Sequence, residues 1–448
     1  MNFAHRRYTY ILLVSSMALL AIALRIHNAF HFNPYWGYDG GAHLAYIETL
    51  AREGRLPTMQ ESYVAWHEPL YYAFMAWWWR VVSPWSHTAT NILDTLSFVQ
   101  AMLGMLLVVL SYAWARIAAP DNRFTHLMAL VFAATLPGSL LLSSYLTNEL
   151  LLQIGMLGLL VLLVLFGFHK KRLYHIFFAV LLGFFSGCLL LTKLTALVPV
   201  GALVLWFLWG SLRTHSFLLF RNGILIALIA TTMAIPWHIY RRHTFGTPWT
   251  INNYEQQLHA RESRPLPKNF FTTFDTNIFL HPFWDTGATS FFTMLYADTF
   301  ADYQGIFHNP DTVQLLPEHD RMEIANKQSI PKRQAAYLRY MLLAALPLAF
   351  AYMLGLIHLS LHVLRTRFKF TKELLVLLVC GGLFVALLYN VTRYPFLERG
   401  TLKMIFILAL MPILAPYAFS FSRNMFYRVI LGSATLTYAV LATLAFWV

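Results

Sequence analysis

Charge is what this sequence has least of. Only 12% of its 448 residues are Asp, Glu, Lys or Arg, against about 25% in soluble domains. Hydrophobic residues make up 58%, and the mean hydropathy is +0.54. A chain so poor in charge is not a string of soluble domains but a membrane protein. Cysteine is nearly absent too. Cys188 and Cys380 both lie inside apolar runs, so no disulfide framework or zinc site can be read, and both fit as small buried apolar residues. There is no glycine-rich phosphate loop, Walker motif or dinucleotide fingerprint, which leaves a cytosolic nucleotide donor without a site. Acids are scarcer than bases, 20 against 33, for a net charge of +13. The bases gather in short connectors between apolar runs, where membrane topology puts them, so no nucleic-acid partner is expected.

The long apolar runs that remain are continuous rather than alternating, which predicts helices and excludes a membrane barrel. A bilayer core of about 30 Å takes about 20 helical residues. On that measure the fold class is an all-α polytopic membrane protein with about eleven transmembrane helices, at 8–29, 91–115, 124–144, 149–168, 174–191, 194–212, 218–238, 338–363, 373–390, 402–421 and 427–447. The basic start "MNFAHRR" lacks a small-residue cleavage site, so the first run reads as an uncleaved span. Alternate connectors ("AHRR", "RIAAPDNRF", "HKKRLYH", "RTHSFLLFR", "LRTRFKFTK", "SRNMFYR") hold fifteen of the thirty-three Lys and Arg. That alternation predicts a cytoplasmic N-terminus, an outer C-terminus and two large outward loops. The chain divides into three regions: 1–238, an N-terminal transmembrane catalytic module with interfacial helices in its outer loop 30–90; 239–337, an extracytoplasmic loop region, the one segment soluble enough for a small domain; and 338–448, the C-terminal transmembrane helices.

The first loop holds the chemistry. In "YWGYDGGAHLAYIETLAREGRLP", Asp39 stands at the mouth of the first span among Gly37, Gly40 and Gly41. A carboxylate at a membrane edge is costly unless it meets water, a cation or a substrate. Either Asp39 caps a helix whose face it shares with His43, or it does chemistry. Leu44, Ile47, Leu50 and Ala51 form one stripe, with Glu48, Arg52 and Glu53 on another, which predicts an amphipathic interfacial helix. In "WHEPLYY", Pro69 starts a further helix with His67 and Glu68 at its mouth. Two histidines and two acids above a membrane could move a proton or hold a metal, or the histidines could be merely interfacial.

The order "YDGGAHLAYIETL…GRLP…WHEPLYY", "YLTNELL", "GCLLLTKLTALVPV", "PWHIYRRHTFGTPW" and "ERGTLKMIFILALMP" resembles the C-type glycosyltransferases. Within them it is most similar to the protein-mannosyltransferase-like and aminoarabinose-transferase-like branch. That family places an acid just after the first span, H-x-P-L-Y-Y before the second, N-[DE] at the start of the fourth and T-K between later spans. The resemblance implies an integral-membrane enzyme, a hexosyl or pentosyl transferase. It would move a sugar from a polyprenyl-phosphate donor to a glycan, lipid or protein acceptor on the outer face. It implies that Asp39 is the general base or acceptor-positioning carboxylate. On their placement His43, His67 and Glu68 read as acceptor-side or supporting residues, and Glu149 at the start of the fourth span either positions a substrate, pairs with one of the outer bases or is an ordinary helix-start acid. Where the family often carries two adjacent acids this chain has Asp39-Gly40, which argues against a required divalent metal; no other cofactor is expected.

A phosphate leaving group needs cations. Lys193 interrupts an apolar run, where a lysine costs about 2.5–3.5 kcal/mol at the bilayer centre and less at an outer turn; it either binds phosphate or snorkels. Arg241 and Arg242 follow the seventh span, and Arg393, Arg399 and Lys403 border the tenth. All lie on the side the topology leaves poor in bases, so as a set they favour a phosphate, although each alone could meet a lipid headgroup or a carboxylate. A transporter or flippase of lipid-linked sugars is the alternative. Transporters tend to pair inverted halves around midplane polar residues, whereas here the polar residues gather at the outer mouth. Short loops lean towards a bacterial inner membrane.

Overall fold

Proline and a buried arginine decide how the apolar runs become helices. The computed structural model describes residues 3–32, 35, 37, 39–85, 89–168, 175–246, 266–283, 290–307, 332–393, 404–420 and 424–447. Its described residues are all-helical, without strands. In chain order the helices are α1 (Phe3–His31), α2 (Gly40–Glu53), α3 (Leu70–Val82), α4 (Ala89–Ala118), α5 (Arg123–Thr135), α6 (Pro137–Leu142), α7 (Asn148–Leu162), α8 (Ile176–Leu190), α9 (Leu197–Thr214), α10 (Phe217–Phe245), α11 (Phe291–Phe300), α12 (Lys332–Arg365), α13 (Lys372–Arg393), α14 (Leu410–Ser420) and α15 (Met425–Phe446). Eight of the described helices are long and apolar enough to cross a membrane: α1, α4, α7 with its continuation to Gly167, α9, α10, α12, α13 and α15. The other three expected spans correspond to the shorter apolar helices α5, α8 and α14.

The run expected as one span at 124–144 breaks in two. Leu136 precedes Pro137 and is extended (φ −63°, ψ 121°), the conformation a following proline imposes. Proline brings no N–H, so the carbonyl of Ala133, four residues back, loses its helical donor. Arg25 supplies the replacement from α1. Its guanidinium donates to the carbonyls of Ala133 (3.1 Å) and Ala134 (3.0 Å) and to the Ser139 hydroxyl (2.9 Å), fully buried. Arg25→Met is expected to strand both carbonyls, at about 1–3 kcal/mol each. The purified variant should melt at a clearly lower temperature in detergent, and an unchanged melting curve would mean that the break is held by other contacts.

α4 packs on α1, α5 and α7; α10 packs on α8 and α9; α12 packs on α14 and α15; α13 joins the last two of these three groups by packing on α9 and α12. At the α12–α14 crossing a Cβ on Gly355 would stand 2.7 Å from the Ala418 backbone nitrogen, so only glycine admits this approach. Two expected boundaries move. α10 runs seven residues past 238, to Phe245, and the helix leading into the eighth span is already formed at Lys332. Part of the 239–337 segment is core rather than soluble loop. Phe291, Ala297 and Phe300 of α11 are buried, and Tyr303 after it is 1% exposed. Its apolar face, "FFTMLYADTF", finds α12 and α6.

The interfacial layer is built on α2 and α3. Leu44, Ile47 and Ala51 are buried as their stripe predicts, against Tyr71, Tyr72, Met75 and Trp79. On the opposite stripe Glu48 and Arg52 pair at 3.0 Å, both exposed. Arg80 closes the far end of α2 by donating to the carbonyls of Ala51 (2.7 Å) and Leu50 (2.9 Å), the last acceptors a helix leaves open.

Candidate functional site at the mouth of the helical bundle

Four backbone segments meet at one end of the bundle: the turn before α2, the loop 62–69, the turn 191–196 and the last turns of α10. The loop and the turn are tied by the Leu70 N–H, which donates to the Leu191 carbonyl at 2.9 Å. The Glu68 carboxylate adds a second tie by accepting from the backbone N–H of Leu194. Ser62 fastens the loop to α2 by donating to the Ala42 carbonyl at 2.8 Å.

Asp39 occupies the residue before α2 but does not cap it. Its backbone is left-handed (φ 62°, ψ 17°) and its side chain makes no capping bond. Instead its Oδ1 accepts from the Tyr63 hydroxyl at 2.7 Å, and the residue is exposed. The turn is fixed upstream by Gly37. This residue has φ +96° and lies so near the Tyr145 ring that a Cβ would come within 2.4 Å of it; no other residue fits there. The carboxylate is thus turned away from helix capping and towards the open mouth.

One turn on, His43 is 3% exposed. The Tyr72 hydroxyl stands 2.7 Å from its Nδ1 and 2.9 Å from the Nδ1 of His67. Tyr46 stacks on the Tyr72 ring at 3.9 Å and 5°, which leaves that hydroxyl little freedom. Burial pushes the His43 imidazole down to about 4, with Lys193 acting the same way and Asp39 opposing. His67 lies well below its usual range through burial, helped by His43, Lys193 and Arg241. Both rings are therefore neutral at neutral pH.

Two ion pairs flank the histidines. Arg241 Nη1 donates to Glu68 Oε1 at 3.0 Å, with each side chain 1% exposed. The same guanidinium lies 5.6 Å from the centre of the Trp66 ring, and its Nε and Nη2 are buried without a hydrogen-bond partner among the described residues. Burial raises the Glu68 carboxyl, and the Arg241 and Lys193 charges oppose it. Lys193 pairs with Glu149 at the first turn of α7 and sits 5.4 Å from the Phe406 ring. Next to it, Asn148 donates to the Thr192 carbonyl at 3.0 Å, and the Thr147 hydroxyl accepts from the Glu149 N–H.

Seven of the eleven residues singled out from the sequence thus come together: Asp39, His43, His67, Glu68, Glu149, Lys193 and Arg241. Lys193 and Arg241, expected as cations awaiting a phosphate, are each already matched with one of the expected acids. Arg242 follows Arg241 on α10 and is exposed; successive helical residues point about 100° apart, so it does not join the pair. Arg393 is the last residue of α13, its side chain outside the described residues, as are Arg399 and Lys403 altogether. The sequence passed over Tyr63 and Tyr72. Tyr72 lies within the quoted "WHEPLYY", but nothing in that spacing says that its hydroxyl meets two imidazoles. Among the described residues no three His, Cys, Asp or Glu side chains converge so as to hold a metal ion.

Residues 44–251 match the model of the dolichyl-phosphate-mannose-protein mannosyltransferase family, a stretch that starts just after Asp39 and His43 and includes the other five clustered residues. Among solved structures the chain is similar to the oligosaccharyltransferase of Archaeoglobus fulgidus. Its complex with Zn and sulfate is 17% identical with a TM-score of 0.52, covering 97% of this chain and 53% of that one. The apo form is 13% identical with a TM-score of 0.54, covering 99% and 56%. ArnT from Cupriavidus metallidurans bound to undecaprenyl phosphate is 16% identical with a TM-score of 0.37, covering 96% and 78%. The chain spans little more than half the length of the oligosaccharyltransferase, and that likeness shows the fold. No curated protein matches the sequence. Residues 44–251, just under half of the chain, are thus similar to the mannosyltransferase family, and the fold along the chain is similar to that of the oligosaccharyltransferase.

Proposed function

We propose that this protein transfers a sugar from a polyprenyl-phosphate carrier to an acceptor on the outer face of a bacterial inner membrane, with Asp39 as the general base. The observation that carries this reading is the setting of Asp39: exposed at the bundle mouth, held by the Tyr63 hydroxyl, and beside the buried His43 rather than spent on a helix cap. The acceptor hydroxyl or amine gives its proton to Asp39 as its oxygen or nitrogen attacks the sugar C1. The C1–O bond to the carrier breaks, and the polyprenyl phosphate departs with the bonding pair. A general base within hydrogen-bond reach is worth about 10²–10⁴-fold.

The cations then serve the leaving group. Lys193 carries three donors; Glu149 engages it through one oxygen, and its side chain keeps 15% exposure. A phosphate arriving from the bilayer side can take a remaining donor while Glu149 keeps the ammonium in place. Arg241, with two N–H-bearing nitrogens that have no partner among the described residues, backs the site. Glu149 and Glu68 on this view are positioning residues that hold the cations still, and the resident charge balance keeps them from collapsing onto Asp39.

The reading is tested with the full chain in nanodiscs, supplied with labelled polyprenyl-phosphate sugars and with envelope extracts from cells lacking the gene. Label should move from the lipid carrier to an acceptor that mass spectrometry then identifies. Lys193→Ala should raise the apparent KM for the lipid donor about tenfold, equivalent to about 1.4 kcal/mol. Movement of the intact lipid-linked sugar across the membrane without cleavage would favour the flippase instead.

A further inference from the structure

Tyr72 presents one hydroxyl proton to two imidazole nitrogens, and a hydroxyl donates only once. His43 Nδ1 at 2.7 Å and His67 Nδ1 at 2.9 Å are the hydroxyl's hydrogen-bond partners among the described residues, and a buried donor left without an acceptor is costly, so the proton goes to one ring while the other donates its Nδ1–H, and the two neutral rings hold opposite tautomers. The two distances fit one direction better than the other. A hydroxyl donor stands at about 2.7–2.8 Å from its acceptor and an N–H donor at about 2.9–3.0 Å. That pattern corresponds to Tyr72 donating to His43 and His67 donating to Tyr72. His43 is left with its remaining proton on Nε2.

We propose that Tyr72 is a positioning residue that holds His43 as the Nε2–H tautomer, a neutral hydrogen-bond donor beside Asp39 for the incoming acceptor, with His67 as the residue that sets the direction. The proposal rests on the glycosyl-transfer reading for its purpose, not for its geometry. Three features of the surroundings support it. The Tyr46 ring stacked on Tyr72 fixes the hydroxyl's plane, so the bridge is not one rotamer among many. His43 and His67 are buried and lie 5.6 Å apart between ring centres, so water does not compete for the Nδ1 positions. The charged and titratable groups facing the three side chains are Asp39 before α2, Tyr46 on α2, Tyr71 on α3, Glu68 on the loop, Lys193 on the turn 191–196 and Arg241 on α10. Lys193 opposes a second proton on both rings and Arg241 opposes one on His67, which keeps the pair in tautomer chemistry rather than charge chemistry.

The function of such a lock is to choose what His43 offers. In the opposite tautomer His43 Nε2 would be an acceptor and would compete with Asp39 for the acceptor's proton. As a donor it can orient the acceptor's lone pair while Asp39 takes the proton. The bond to a neutral imidazole Nδ1 also favours the uncharged ring, so loss of the Tyr72 hydroxyl should make His43 easier to protonate.

The test uses the full-length protein in nanodiscs with ¹⁵N-histidine. The signals of His43 and His67 are assigned by their disappearance in His43→Gln and His67→Asn. In the wild type His43 should give the Nε2–H pattern and His67 the Nδ1–H pattern. In Tyr72→Phe both should become mixtures, kcat should fall by about tenfold or more with the donor KM unchanged, and the acid limb of the kcat profile should move to higher pH. His67→Asn keeps an N–H donor near the Nδ1 position and should preserve the His43 pattern, whereas His67→Leu should turn the His43 signal into a mixture as Tyr72→Phe does. A wild-type His43 in the Nδ1–H form overturns the proposal, as does a Tyr72→Phe protein with unchanged spectra and acid limb. If Tyr72→Phe does not fold, the wild-type and His67→Asn spectra decide. The expected tautomers in a protein that moves no sugar would reject the transferase reading and leave the lock standing.

Discussion

Asp39→Asn should abolish sugar transfer and leave the protein otherwise as it was. The variant is well matched to its backbone. Asp39 is left-handed at φ 62°, a region that Asn enters more readily than other non-glycine residues. The amide oxygen of Asn can still accept from the Tyr63 hydroxyl, and no helix cap is lost because the aspartate makes none. What disappears is the basic oxygen. Turnover should drop by at least about 10²-fold, the lower end of what a positioned base supplies, with elution profile and melting temperature unchanged. Asp39→Gly separates the contributions further: it relaxes the backbone and removes the carboxylate, so it should be as inactive as Asp39→Asn although no less stable. Full transfer by Asp39→Asn would take the base away from this residue and return it to the bland role of an acid at a membrane edge.

The prominence of Asp39 in the sequence has a physical source. A carboxylate among glycines beside an apolar run costs too much to be idle, and that signal is local. The stripe on α2 was legible for the same reason, since period and burial both belong to one helix. The features that were not legible are those whose partners lie far along the chain. Arg25 sits unremarked inside the first apolar run, and the two carbonyls it serves are 108 and 109 residues away. Pro137 announced the break in the run at 124–144, but continuous apolar composition outweighed one proline. Lys193 and Arg241 were visible as costly charges that a phosphate or a carboxylate could meet; which acid each finds, at 44 and 173 residues' separation, was not. An unpaired cation and a paired one look alike in a sequence. The same holds for Tyr72, whose role depends on two histidines converging from a helix and a loop.

Breaking the Glu68–Arg241 pair on one side should be the most damaging substitution to stability in this region. Both side chains are 1% exposed, so Arg241→Met leaves a carboxylate buried with only backbone N–H groups to hold it. Removing one partner of a buried pair costs about 3–5 kcal/mol, because the remaining charge is uncompensated. Glu68 joins the loop 62–69 to the turn carrying Lys193, and Arg241 reaches it from α10. The damage should therefore spread to the site: a lower melting temperature together with a weaker apparent affinity for the lipid donor. Removing both charges at once distinguishes a structural pair from a functional cation. Glu68→Gln combined with Arg241→Met should regain most of the lost melting temperature, since an amide can keep the bonds to the Glu68 and Leu194 backbone and no lone charge remains. If Arg241 also backs the departing phosphate, the double variant will be stable yet still impaired in kcat. Recovery of both stability and turnover would confine Arg241 to holding the loop, and Arg241→Met alone melting like the wild type would mean that the pair contributes nothing to the fold.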